Sequence, residues 1–435
     1  MVFRVKGNIA KTDFHKAIDS MRIKHPLLNS IQIIDEKGRK VFKQEKQSNI
    51  DLEIIPRDSD KQWMDVYHKH CNTPFEFDKK PCIRFSLIQS DEVCELLIFS
   101  HHIICDGLSL AYLGRDILES IGNQSDKEPE VLDTIPVAKT NFSEELKLNG
   151  FMKNILKKMN MKFLADREYF DFDNYKELHE AYWNNFSHKM LPAVLSEAET
   201  SEIIASCKKN EVSVNSAIAA AIAGARKSSL NISKLPSRQA VAVSIRNNIQ
   251  NNPMQGMGFY AGSIDPSFTY NQNTDFWNNA AKFHKKVKSR MKVKHIFKNL
   301  QNWSYLDPRI MESLNFKILG SLCRNSKLNY YSRKKDLVAS LVRREKMNSL
   351  DNIIMSTAIT NIGKLNFKGQ YGDSKLDSIV MNPGGAFPLV QVQLVIAVAT
   401  VSGKMSILFE YEKSRLSDEQ AQRVMDKTIK ILKSK

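Results

Sequence analysis

Two adjacent histidines, His101 and His102, stand in "ELLIFSHHIICDGLSL", behind an apolar run and just ahead of an Asp-Gly pair. The chain has only 10 histidines in 435 residues. An imidazole titrates near neutrality, so it can take up a proton and return it, and fixing one ring nitrogen makes it a general base. The run "CELLIFS" reads as a strand that passes through a core and opens into a loop. There His101, His102 and Asp106 precede a helix N-terminus, and Gly107 permits the sharp turn between loop and helix. Adjacent residues of an extended segment point to opposite sides, so one imidazole is expected to face a cavity and the other to pack into its wall. On the residues alone, other readings stay open. The pair could be two packed histidines. A metal set is not expected, because no third or fourth ligand stands at helpful spacing. Nothing near Cys105 marks it as a nucleophile. No Gly-x-Ser-x-Gly elbow accompanies Asp106, which argues against a serine hydrolase triad.

The elements that must position these residues read as alternating strands and helices. "VFRVKG" is a strand, "AKTDFHKAIDSMRIKHP" a helix ended by Pro26, and "SIQIIDEKGRKVFKQ" and "IRFSLIQSDEVCELLIFS" two hairpins. "SLAYLGRDILESI" has helical periodicity directly behind the Asp-Gly pair. Residues 122–145 are polar and read as a connector. Over 146–164 a helix is expected, with Leu148, Phe151, Met152, Ile155, Leu156, Met159 and Phe163 on one face and five lysines around the rest. Ser196 and Glu199 are spaced as a capping box opening a second α/β region. Later strands are expected in "QAVAVSI", "NIIMSTAITNIG", "LVQVQLVIAVATV" and "KMSILFEYE", the last pair a hairpin across Ser402-Gly403, before a C-terminal helix from about Ser417.

A chain of this length is expected to form two domains. Its 64 Lys+Arg against 48 Asp+Glu give a formal charge of +16, a surface that attracts anions without choosing among them. The six cysteines form no Cys-x-x-Cys pair, no signal peptide is evident, and "LVIAVATV" is far too short to cross a bilayer. A cytoplasmic location is expected. Neither a zinc finger nor an RRM signature accompanies the positive charge, so no nucleic-acid partner is expected. "GMGFYAG" has the wrong glycine spacing for a dinucleotide fingerprint.

"HHIICDG" resembles the His-His-x-x-x-Asp-Gly signature of the CoA-dependent acyltransferase superfamily, which includes chloramphenicol acetyltransferase and the condensation domains of peptide synthetases. "KGNIAKTDFHKAIDSMRIKHPLLNSIQ" is similar to the family's opening, and "TPFEFDKKPCIRFSLIQSDEVCELLIFSHHIICDG" to its run into the motif. "NEVSVNSAIAAAIAGA", "VAVSIRNN" and "AITNIGKL" resemble elements of its second half, in the right order. The resemblance implies an α/β fold, α+β layered: two chloramphenicol-acetyltransferase-like lobes with mixed sheets and a tunnel between them. The expected division is 1–145 for the first lobe, 146–190 for a crossover helix and linker, and 191–435 for the second lobe.

Carried over, the resemblance makes His102 the general base, His101 its packing neighbour, and Asp106 a brace paired with Arg246, with Gly107 at the turn. It directs attention to Thr360, Asn361 and Gly363 as the oxyanion region. It implies no tightly bound cofactor, with acyl-CoA or an acyl-phosphopantetheine on an acidic acyl-carrier protein as co-substrate. The acceptor would be a small-molecule or lipid alcohol or amine, and no covalent acyl-enzyme would form. The Asp-Phe-Gly-Trp-Gly motif of the plant branch is absent; "NPGGAFP" lies in the comparable region. With no flanking adenylation or carrier module, a stand-alone enzyme is expected. The alternatives are a non-catalytic condensation-like interaction protein, or a basic protein binding membrane or nucleic acid. The 146–164 helix could touch a membrane surface, although packing between the lobes is the commoner fate of such helices.

Overall fold

The computed structural model describes residues 1–45, 48–123, 129–134, 147–230, 236–249, 255–347, 349–384 and 391–434. Most of the expected connector and part of "NPGGAFP" lie outside them. In chain order the described strands are β1 (Val2–Lys6), β2 (Ser30–Ile34), β3 (Lys40–Gln44), β4 (Asp51–Pro56), β5 (Ile83–Gln89), β6 (Val93–Ser100) and β7 (His188–Leu195). They continue with β8 (Gln239–Ser244), β9 (Ala261–Ile264), β10 (Met355–Lys364), β11 (Gln370–Tyr371), β12 (Ser374–Val380), β13 (Val392–Val401) and β14 (Lys404–Glu412).

Two six-stranded mixed sheets organise these strands. The first has the order β11-β12-β1-β6-β5-β4, the second β7-β14-β13-β10-β8-β9, and β2 and β3 form a separate ribbon. The fold is therefore α/β with two lobes. The two hairpins read from the sequence form: β2 pairs antiparallel with β3, and β5 with β6. Ser402 and Gly403 carry φ of 49° and 75° at the β13–β14 turn, the left-handed pair a two-residue hairpin needs. Helix Glu197–Lys209 opens on the expected capping box, Ser196 accepting from the Glu199 amide while Glu199 accepts from that of Ser196.

The chain does not stay with the second sheet after residue 191. β12 returns to pair with β1, with Val2 opposite Val380, so the first sheet is completed by late residues. β13 is buried on both faces, and its two faces serve different cores: Leu394, Ile396 and Val398 join the second lobe's core, whereas Ala397, Ala399 and Val401 join the first's. This alternation couples the lobes.

A helical layer lies beside them, built from Gly150–Ala165, Phe172–Asn185, Pro308–Leu319, Lys327–Arg333 and Leu337–Arg344. Phe163, Ile310, Val338 and Val342 form one of its cores. The apolar face expected on the 146–164 segment is divided there. Leu156 and Phe163 are buried, but Phe151 is 74% exposed, because the layer covers only one side of the helix. No helix among the described residues is long and apolar enough to cross a membrane.

Candidate active site

β6 is a buried strand of the first sheet, flanked by β1 and β5, and it ends at the motif. The His101 amide still donates to the Cys82 carbonyl at 2.9 Å; then the chain turns, with the Ile104 amide donating to the His101 carbonyl at 3.2 Å. The two imidazoles do face different surroundings, but a turn separates them where an extended segment was expected. The Asp106 side chain needs that turn, since it caps the next helix.

His101 packs edge-on against Phe75 and Phe77, with ring centroids 5.9 and 5.3 Å away, and its Nδ1 accepts from the Ile103 amide at 3.2 Å. Burial lowers its pKa to about 4, helped by His102 and His179, so it is neutral at physiological pH. His102 is exposed. Its Nδ1 lies 3.0 Å from the Cys105 carbonyl, its Nε2 lies 3.1 Å from the Pro383 carbonyl, and Phe259 stands edge-on at 5.4 Å. Carbonyl oxygens only accept, so a neutral ring can satisfy one of them and an imidazolium both. The Cys105 thiol is pushed up to about 12 by burial, leaving it un-ionised.

Asp106 is buried and fully engaged. Its Oδ1 accepts from the Ser109 amide at 2.7 Å, the Ser109 hydroxyl at 2.9 Å and Arg246 Nη2 at 2.8 Å; its Oδ2 accepts from the Tyr260 amide at 3.0 Å. Arg246, 2% exposed, also donates to the Ser109 hydroxyl at 2.6 Å and the Gly256 carbonyl at 3.0 Å, and stacks over Tyr260 at 4.6 Å. Asp106 thus caps helix Gly107–Asn123 and ties the first lobe to the loop before β9. It makes no contact that would orient the His102 ring directly; the Cys105 carbonyl does that.

Gly107 is needed for space. A Cβ there would come within 2.8 Å of Met381 Sδ and 3.1 Å of Ile362 Cγ2. Thr360, Asn361 and Gly363 lie at the end of β10, where its pairing with β13 shifts register between Asn361 and Lys364. Gly363 has φ of +78°, and its amide donates to Asn361 Oδ1 at 2.8 Å, so that amide is already used. Their neighbour Ile362 is the residue that reaches the motif.

Four participants were not singled out from the sequence: Ser109, Tyr260, Phe259 and Pro383. Ser109 had a signal, since it stands three residues after a helix-capping Asp. The others come from "GMGFYAG" and "NPGGAFP", whose spacing carries none. Pro383 is held by Asn382, whose Oδ1 accepts from Tyr67 Oη at 2.8 Å and from the Gly384 amide at 2.7 Å.

Comparisons with known proteins bear on the first lobe's sequence and on the fold. Residues 1–138 match the condensation domain family. Over 128 residues the chain is 28% identical to malpinin synthetase of Mortierella alpina, and over 57 residues it is 37% identical to the nonribosomal peptide synthetase fso1 of Omphalotus olearius. These matches cover 27% and 13% of this chain but 2% and 1% of those synthetases, so it spans only a small part of their length. The trichothecene 15-O-acetyltransferase TRI3 of Fusarium sporotrichioides has a similar fold, with a TM-score of 0.64 at 12% identity over 99% of this chain and 90% of that one. Polyketide synthase associated protein 5 of Mycobacterium tuberculosis gives 0.58 at 13%, over 99% and 92%. At such identity the likeness is one of fold. The sequence match to the condensation domain family is thus confined to residues 1–138, and the two-lobed fold of the whole chain is similar to that of the solved acetyltransferase and polyketide synthase associated protein.

Proposed function

We propose that the protein moves an acyl group from a thioester, either acyl-CoA or an acyl-phosphopantetheine, to a hydroxyl or amine acceptor, with His102 as general base. The observation that carries this reading is the His102 ring itself. It is open to solvent, held at Nδ1 by the Cys105 carbonyl, and has Nε2 directed away from its own loop. With the proton on Nδ1, Nε2 keeps its lone pair. An acceptor group that takes the place of the Pro383 carbonyl at Nε2 would lose its proton there as it attacks the thioester carbonyl, forming the new C–O or C–N bond. The tetrahedral oxyanion then collapses, the C–S bond breaks, and the imidazolium returns the proton to the thiolate. The buried thiol of Cys105 and the absence of a hydroxyl nucleophile from the described contacts of His102 favour direct transfer over an acyl-enzyme.

Support for the donor comes from relatives. The starter condensation domain of rhizomide synthetase RzmA, similar in fold at a TM-score of 0.57, is described in complex with C8-CoA and Leu-SNAC. The test is thiol release from acyl-CoAs and acyl-carrier proteins with pooled alcohols and amines. His102→Ala should lower turnover by about 10²–10⁴-fold. Full activity in that variant would remove the assignment.

A further inference from the structure

The outward face of helix Gly150–Ala165 is neither core nor ordinary polar surface. Phe151, Met161 and Leu164 are 74%, 62% and 40% exposed. Lys153, Lys157, Lys158 and Lys162 are exposed on the same half of the helix, between and beside those three. From Phe151 to Leu164 the apolar points span about 20 Å along the axis. The C-terminal end of this face opens on a cavity of about 390 Å³ whose lining includes Lys162, Arg167, Lys335 and Arg343. Its two acidic residues are already matched, Asp166 by Lys334 at 2.7 Å and Asp336 by the buried Lys317 at 3.0 Å. Lys162, Lys335 and Arg343 enter no ion pair among the described residues.

We infer that this face docks on an anionic lipid surface and that the adjoining cavity receives a phosphorylated headgroup. The exposed lysines interleaved with the three apolar side chains are complementary to an anionic headgroup layer over an apolar interior. Lysine stems can lie along the acyl boundary while their ammonium groups stay among the headgroups, and the three apolar side chains enter the bilayer between them. The cavity's surplus cations lie where a phosphate would sit. This inference does not depend on the acyl-transfer reading.

The test is sedimentation with phosphatidylcholine vesicles, alone or mixed with phosphatidylglycerol or phosphatidic acid, across a salt series. Binding is expected only to the acidic mixtures, weakening as salt rises. Lys153→Ala, Lys157→Ala and Lys158→Ala should each lower partition about fivefold. Phe151→Ser with Met161→Ser should lower it further, with thermal unfolding unchanged because these side chains lie in solvent. Lys335→Ala with Arg343→Ala should remove any preference for phosphatidic acid over phosphatidylglycerol. Wild-type protein left in the supernatant with acidic vesicles at low salt overturns the proposal, as does undiminished sedimentation of the lysine variants. Saturation of the cavity by inorganic phosphate without vesicle binding would assign it to a soluble anion and also overturn the docking surface.

Discussion

The two lobes contribute different things where they meet. From the first comes the exposed imidazole of His102, on a loop that ends in the helix-capping Asp106. From the second come Arg246, the Gly258 carbonyl, which lies 2.8 Å from the Ser109 hydroxyl, and the Tyr260 amide. Of these, Arg246 and Tyr260 are almost wholly enclosed. Hydrogen bonds are stronger and costlier to lose in such a setting, so the second lobe can hold the first lobe's loop rigid. The exposed imidazole sits on one side of the boundary and the buried bracing largely on the other.

The comparison can be broken first at Arg246. Arg246→Ala leaves Asp106 buried with its charge unmatched, and urea unfolding should show a loss of about 3–5 kcal/mol. A loss near zero would mean that the lobes do not brace each other through this pair. A double-mutant cycle with Asp106→Ala should then show coupling, since the two residues share one network.

Titration probes both sides. Burial raises the Glu410 carboxyl, on β14 of the second sheet, from 4.5 to about 7. Between those values the folded chain holds a proton that the unfolded chain has released, so stability should fall as pH rises through this window, by about 3 kcal/mol. Glu410→Gln should remove that slope. In the first lobe, His70 and His101 are lowered to about 4, chiefly by burial. There the unfolded chain binds the extra protons, so their contribution is lost as pH falls from 6.5 towards 4. Glu410 and these histidines should therefore act in opposite directions, and fluorescence-monitored unfolding across pH should separate their contributions in H101Q and E410Q.

A smaller effect is expected inside the first lobe. A Cβ on Gly114 would lie 2.0 Å from Phe3 Cζ, so Gly114→Ala should cost about 1–3 kcal/mol by overpacking the contact of its helix with β1. Smallest is Ser109→Ala, about 1 kcal/mol for a hydroxyl shared between Asp106, Arg246 and Gly258, read as a shift in the urea midpoint.

The parts of the site legible in the sequence were the local ones. The strand into His101 and His102, the Asp-Gly turn and the capping box at Ser196 all depend on residues within a few positions of one another, where spacing constrains geometry. Arg246 was reachable only through a family resemblance, because 140 residues separate it from Asp106. Pro383, Phe259 and the Tyr260 amide carried no signal, since two of them act through backbone atoms whose side-chain identity is immaterial.

The sequence by itself determined the opening strand and helix, the hairpins, the cap at Ser196 and that an imidazole pair ends a buried strand, because hydrophobic period and turn chemistry are local. Only the tertiary structure decided that β12 returns to the first sheet and that the two faces of β13 serve two cores. It also decided which lysine-rich helix face stays uncovered. Those outcomes depend on which surfaces meet across long stretches of chain, and contacts of that kind leave no periodic trace along it.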